Sequence, residues 1–271
     1  MTTSAPIPLQ VQGLGRSLAM RVHDRTDIFV SASIRQHGYW EPQETLAFCN
    51  AVQPGMTVVD IGANIGYYTI LAAARVGASG RVFAFEPDPV NAALLRENVA
   101  LNQLDNVQVI EAAIGADDGV LPLHISPTNL GDHRLYDTGE VREVRQVAVR
   151  SLDRFLRAGA LVPGLVKIDT QGFEPVIFGS LLPWCRATGH WPTIFSEFWP
   201  YAIERAGGSY VAFLEMLHEA NLDYWLILEE SRRAVPLHIS EMLRLSQAGY
   251  REAANNDFAF NFIARKPRFR A

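Results

Sequence analysis

The chain has 271 residues, a net charge of -5, 48% hydrophobic and 20% charged residues. That hydrophobic share excludes a mostly disordered chain, and the length suits one large α/β domain, with or without a small appendage, better than two full ones. The mild acidity argues against wrapping duplex nucleic acid, whose affinity rests on neutralising phosphates.

Two cysteines, Cys49 and Cys185, make neither a disulfide framework nor a four-sulfur metal site. The opening MTTSAPIPLQ lacks a basic start followed by an apolar run, and no apolar stretch approaches the roughly 20 residues of a membrane-spanning helix. The expectation is a cytoplasmic protein.

Residues 1–55 read as an N-terminal β/helix extension. LQVQ, LAMRV and DIFVSASI suggest short antiparallel strands, and Leu46, Ala47, Phe48 and Ala51 suggest a helix over 43–52, ended by Pro54 and Gly55. From Met56 strands and helices alternate. TVVDIG is a strand, GYYTILAAARVG a helix and RVFAFEPD a strand. A helix capped by Asp88, with Pro89 in its first position, then runs to Asn102 before the strand NVQVIEAAIG. This order means parallel pairing with right-handed crossovers.

Residues 116–151 break the rhythm: GVLPLHIS and EVRQVAVRSL are strand-like, and the polar PTNLGDHRLYDTGE between them reads as a lid or substrate loop. GLVKIDTQG and WPTIFSEFWP supply the fourth and fifth core strands, Ser209 caps a helix, and LDYWLIL and DFAFNFIAR are the last two strands. The basic tail of Arg265, Lys266, Arg268 and Arg270 reads as a solvated end.

The strongest signal is VVDIGANIGYYT. A strand ends in Asp60, and a turn holding Gly62 and Gly66 opens a helix. Glycine serves where backbone turns tightly or lies against a ligand, and ligands of open α/β sheets sit at strand carboxyl ends. A dinucleotide turn would read G-x-G-x-x-G; here the spacing is D-x-G-x-x-x-G, and Asp60 would repel a pyrophosphate. It suits an ammonium instead. Glu86 ends the next strand and can accept from two ribose hydroxyls, as NAD sites also do. The four residues favour S-adenosylmethionine over NAD.

VVDIGANIGYYT, FAFEPDP, ALLRENVALN, NLGDHR, SLDRF and VKIDTQGFE, in this order over about residues 41–180, resemble the FkbM-type methyltransferases. The resemblance implies an α/β Rossmann-like fold with a seven-stranded sheet of order 3-2-1-4-5-7-6, the last strand antiparallel, as a methyltransferase domain over 56–271. It implies methyl transfer from S-adenosylmethionine, usually to oxygen in small-molecule, sugar or lipid biosynthesis. By position, Asp60, Gly62, Ala63, Asn64, Gly66 and Thr69 would hold the methionine end, Glu86 and Pro87 the ribose, and Glu111, Ala112 and Ala113 the adenine. Glu41 matches a further family position, and Asp169 would stand at the mouth of the fourth strand.

A sulfonium methyl is already electrophilic, so the protein must place a nucleophile in line and take its proton. His133, in the polar loop beside Asp132, is the leading base candidate, with a lid anchor as its alternative role. Asp169 is the second candidate and Glu197, at the fifth strand's end, the third. Asp169, Glu197 and Asn129 could gather Mg²⁺, but FSEFWPYAIE lacks the Asp-Asn pair of metal-dependent catechol-type enzymes, and no metal is assigned. Trp191, Trp199, Tyr201, Tyr136 and Phe198 either line a pocket or cap the core.

Rival readings are N-methylation of a small molecule, an NAD-dependent oxidoreductase, a nucleic-acid methyltransferase and a non-catalytic binder. DTQG replaces the Asn/Asp-Pro-Pro-aromatic turn of base amino-methylating enzymes. The expected partner is a small-molecule, glycan or lipid acceptor, not nucleic acid; a homodimer stays open.

Overall fold

The computed structural model describes residues 5–24, 27–228, 233–252 and 258–267. Arg268 and Arg270 of the basic tail, Asp257 of the final strand segment and residues 1–4 lie outside these.

In chain order, β1 (Ile7–Pro8) pairs antiparallel with β2 (Ala19–Met20), and α1 (Val30–His37) and α2 (Pro42–Ala51) follow. The alternating part is β3 (Thr57–Ile61), α3 (Tyr67–Val76), β4 (Arg81–Phe85), α4 (Pro89–Leu101) and β5 (Val107–Ile110). The inserted part is β6 (Ala113–Gly115), β7 (Gly119–Ile125) and β8 (Glu143–Ser151), closed by α5 (Leu152–Ala158). Then come β9 (Leu165–Ile168), α6 (Glu174–Thr188), β10 (Thr193–Phe198), α7 (Pro200–Arg205), α8 (Tyr210–Ala220), β11 (Asp223–Leu228), β12 (Arg233–Leu237), α9 (Ile239–Glu252) and β13 (Phe260–Arg265).

The main sheet has the order β12-β11-β13-β10-β9-β3-β4-β5, and β6-β8-β7 form a second sheet. β5, β4, β3, β9 and β10 run parallel, and β13 is antiparallel to both its neighbours. Successive side chains of a strand point to opposite faces. Val59, Ile61, Val166, Ile168 and Ile194 therefore join one core with Ile177, Phe178 and Leu181 of α6. Val58, Val82, Leu165 and Phe195 join the other with Phe48 of α2 and Ile70 and Leu71 of α3. Burial on both faces explains why these strands are mostly apolar, with Asp60, Lys167 and Glu197 as exceptions toward their carboxyl ends.

Four expectations are corrected. DIFVSASI forms the helix α1 rather than a strand, because its apolar residues also fit a helical face and Ile34 is fully buried there. NVQVIEAAIG splits into β5 and β6, which lie in different sheets. The main sheet has an eighth strand, β12, a hairpin partner of β11. α9, whose charged face hid its few apolar positions, also went unread. The rim aromatics cap the core: Phe198 is buried against Phe213 and Phe260, while Trp191 and Trp199 lie under Lys266 and Arg134.

The N-terminal extension shares the second core through Leu18, Met20, Val22 and Ile34. Two asparagines one turn apart on α4 fix its register. Asn98 accepts from the Arg21 N–H and donates to the Arg21 and Ile65 carbonyls. Asn102 does the same for the backbone of Ala19.

At Gly62, φ is +80° and a Cβ would lie 1.9 Å from the Asp169 carbonyl oxygen. Only glycine lets the turn after β3 pass the end of β9. Gly62→Ala should lower stability by about 1–3 kcal/mol, read as a shifted urea midpoint; an unchanged midpoint contradicts this packing.

Candidate functional site

Strand order reverses between β3 and β9, the place where open α/β sheets bind ligands. A cavity of about 260 Å³ opens there. Glu41, Asp60, Glu86, His133, Asp169 and Glu197, from six separate parts of the chain, all line it. So do Gly62, Ala63, Asn64, Pro87, Ala112 and Ala113.

The glycine turn is held by its own backbone. Gly62 and Ala63 donate to the Phe85 carbonyl, and Gly66, with φ +92°, caps α3 against Leu95. Asp60 is buried and accepts from the Thr69 hydroxyl at 2.6 Å. Thr69 and Gly66 thus support the cavity from behind rather than line it. Glu86 accepts from the Asn64 N–H at 2.7 Å and from the Asp88 N–H at 2.9 Å. Burial pushes Asp60 up to about 6, against the Thr69 hydrogen bond, and Glu86 up to about 8, against its two backbone donors. Both carboxyls have acceptor capacity left, and among the described residues neither forms an ion pair at contact distance, Lys167 acting on Asp60 from further off. Asn64 Oδ1 is likewise buried without a hydrogen bond among the described residues. This set of acceptors fits the ammonium and the ribose hydroxyls of S-adenosylmethionine.

Glu111 is corrected: it points to solvent and pairs with Arg96 at 2.9 Å, so only Ala112 and Ala113 of that trio reach the cavity.

The opposite wall is built on Lys167, a buried lysine in the apolar strand β9. Its ammonium lies 3.2 Å from Asp169 and 3.7 Å from Glu44, above the Tyr68 ring. Burial alone would lower its pKa, but Glu44, Asp169, Glu41 and Asp60 outweigh that and raise it. The Gln171 amide donates to both Asp169 and Glu197 at 3.1 Å. The Asn261 amide donates to Glu41 at 3.3 Å and Glu44 at 2.8 Å. Burial, reinforced by neighbouring carboxylates, raises Glu41 and Glu197 well above the usual range. Glu174 is buried and pins the 170–172 turn, accepting from the N–H groups of Thr170 and Gly172.

Sequence reasoning passed over Glu44, Asn261 and Tyr68. Two of them carried a signal: Glu44 lies one turn after Glu41 on α2, and Asn261 is the polar exception in FAFNFIA.

His133 lines the cavity but is engaged as a lid anchor. Its Nδ1 accepts from the Ser126 N–H at 3.1 Å, which puts the neutral ring's proton on Nε2, 3.8 Å from Asp88. With Nδ1 engaged in this way, the ring is arranged for the lid-anchor role that its place in the loop also offered. Burial lowers its pKa against the pull of Asp88 and Asp132. Around it, Arg145 binds Asp88, Arg134 and Arg142 bind Asp132, and Asn91 donates to the Leu130 carbonyl. The NLGDHR segment is therefore tied to the start of α4, beside Glu86. Among the described residues, no three His, Cys, Asp or Glu side chains form a metal-holding group.

A model of the methyltransferase FkbM domain matches residues 60–251. The chain belongs to this family of S-adenosylmethionine-dependent methyltransferases. It is 33% identical over 115 residues to methyltransferase sdnD of Sordaria araneosa, covering 42% of this chain and 43% of that protein. It is 32% identical over 134 residues to a protein-L-isoaspartate O-methyltransferase of Triticum aestivum, covering 48% and 55%. The chain thus spans about half the length of these curated relatives. A solved methyltransferase FkbM from Methylobacillus flagellatus KT superposes with a TM-score of 0.45 at 14% identity, covering 77% of this chain and 43% of that one.

Asp60 and Glu86 hold a proton more tightly when folded than at their ordinary 3.8 and 4.5. The folded state then binds more protons than the unfolded chain from about pH 4 to about 8, and stability falls as pH rises through that window. Asp60→Asn and Glu86→Gln should flatten this slope in urea titrations of the ligand-free protein. A stability that climbs over the same window contradicts the burial of these groups.

Proposed function

We propose that this chain transfers a methyl group from S-adenosylmethionine to a hydroxyl oxygen of a small metabolite, sugar or lipid. The observation that carries the reading is the convergence of Asp60 and Glu86, at adjacent strand ends, on one cavity with Asp169 and Glu197. When bound, the cofactor supplies an electrophilic methyl on a positive sulfur.

The residues divide the remaining work. Asp60, steadied by Thr69, takes the ammonium. Glu86 accepts from the ribose, and Pro87, Ala112 and Ala113 border the adenine end of the cavity. Glu41 and Lys167 set the charge around the sulfonium side. Asp169 and Glu197, joined through Gln171, are the pair positioned to take the hydroxyl proton, at Asp169 Oδ1 or Oδ2 or at the carboxyl oxygens of Glu197. His133 holds the 126–134 segment over the site, which limits water around the developing charge.

Calorimetric titration with S-adenosylmethionine tests the donor half. Asp60→Ala and Glu86→Ala should each weaken binding by about 30-fold, the effect of losing about 2 kcal/mol of charge-assisted hydrogen bonding. Stabilisation by NAD in place of S-adenosylmethionine contradicts the reading. Labelled-methyl transfer to extracted host metabolites identifies the acceptor. With that acceptor, Asp169→Asn should bind the donor normally and turn over on the order of 100-fold more slowly. His133→Ala should weaken donor binding several-fold and leave the pH profile of kcat in place; loss of that profile's ionisation would restore His133 as the base.

A further inference from the structure

Resting on that reading, we infer that the β9–β10–β13 side of the cavity is an acceptor subsite that selects a neutral or cationic, hydrogen-bond-donating group, a polyol or an amine, and excludes acceptors bearing a carboxylate or phosphate there. Donors on this wall are fewer than the acceptors they serve. The two N–H bonds of the Gln171 amide serve Asp169 and Glu197. Those of Asn261 serve Glu41 and Glu44. The Lys167 ammonium is shared among Asp169, Glu44 and the Tyr68 ring. Among the described residues, the side-chain nitrogens of Gln171, Asn261 and Lys167 are thus already engaged.

The acceptors are not exhausted. A carboxylate offers about four lone-pair sites. Among the described residues Glu197 receives only the Gln171 bond, and Glu41 receives the Tyr68 hydroxyl and Asn261 and shares a hydrogen bond with Glu44. A group that completes this wall must therefore donate. An anion would meet three cavity-lining carboxyls, Glu41, Asp169 and Glu197, with the single ammonium already paired. That uncompensated charge is the exclusion.

An anion would need Glu41 and Glu197 to keep the protons that burial favours and would still face Asp169, whereas an arriving ammonium or hydroxyl array favours their charged forms. The cavity also has aromatic lining: Trp40, next to Glu41, and Phe29, 49% exposed. Aromatic faces of this kind suit the C–H face of a polyol ring or a cation.

Three probes on one ring test this: methyl glucoside, glucosamine and glucuronic acid, titrated calorimetrically into the full chain saturated with S-adenosylhomocysteine. Using the spent cofactor makes the readout binding rather than turnover. The glucoside or the glucosamine should bind at least about tenfold more tightly than glucuronic acid, and the tighter of the two tells polyol from amine. Glu41→Gln and Glu197→Gln, which put N–H donors into the wall, should each narrow that preference several-fold. Glucuronic acid binding as well as the others, no binding by any probe, or a preference untouched in both variants would overturn the inference. S-adenosylhomocysteine affinity, measured first, separates the two failures. If it does not bind, the proposed function fails and this inference falls with it; if it binds and the selectivity is missing, only the inference fails.

Discussion

A surplus of carboxyl groups over cations at the carboxyl edge of a parallel sheet governs this molecule. Asp60 and Glu197 are the penultimate residues of β3 and β10, and Glu86 and Asp169 stand directly after β4 and β9. The register of the strands brings these side chains to one edge, and Lys167 is an ammonium set among Glu44, Asp169, Glu41 and Asp60. A folded protein tolerates several buried acids only when each is hydrogen-bonded, protonated or matched by a ligand. Thr69, Gln171, Asn261 and the backbone at 64 and 88 supply the first remedy, while burial still pushes Asp60 and Glu86 up. The remaining demand is for positive charge and for hydroxyl donors, which a sulfonium-bearing amino acid with a ribose brings.

The scaffold around this edge is arranged to keep it fixed. Gly62 lets the β3 turn touch the end of β9, Glu174 stitches the 170–172 turn to α6, and Asn98 and Asn102 bind the N-terminal extension to α4. The extension is consequently part of the site: it carries Glu41 and Glu44 to Lys167 and Trp40 to the cavity. The lid segment is held by charge, through Asp88, Asp132 and three arginines, next to the carboxylate assigned to the ribose.

Much of this was legible in the chain because local rules agreed with the fold. Asp60, the two glycines and Glu86 sit where strand ends and turns are easiest to read, and Asp88 with Pro89 announces α4. Other features depended on distant partners. DIFVSASI looked like a strand because its β-branched residues satisfy both periods, and the core that Ile34 joins decided for a helix. Glu111 lies beside two cavity residues yet faces Arg96, a one-residue distinction set by where β5 ends. His133 had the loop, the acidic neighbour and the ordinary pKa of a base; only the Ser126 N–H shows that its lone pair is taken. Asn261 lies more than 200 residues from Glu41 and Glu44, which it bridges, and no sequence window contains that contact.

The most direct measurement of the central claim is a crystal structure of the chain with S-adenosylhomocysteine. The account places its ammonium within hydrogen-bond distance of Asp60, its ribose hydroxyls on Glu86 and its sulfur facing Asp169. A ligand lodged elsewhere, or one whose ammonium lies away from Asp60 while Glu86 keeps only its backbone donors, would contradict it.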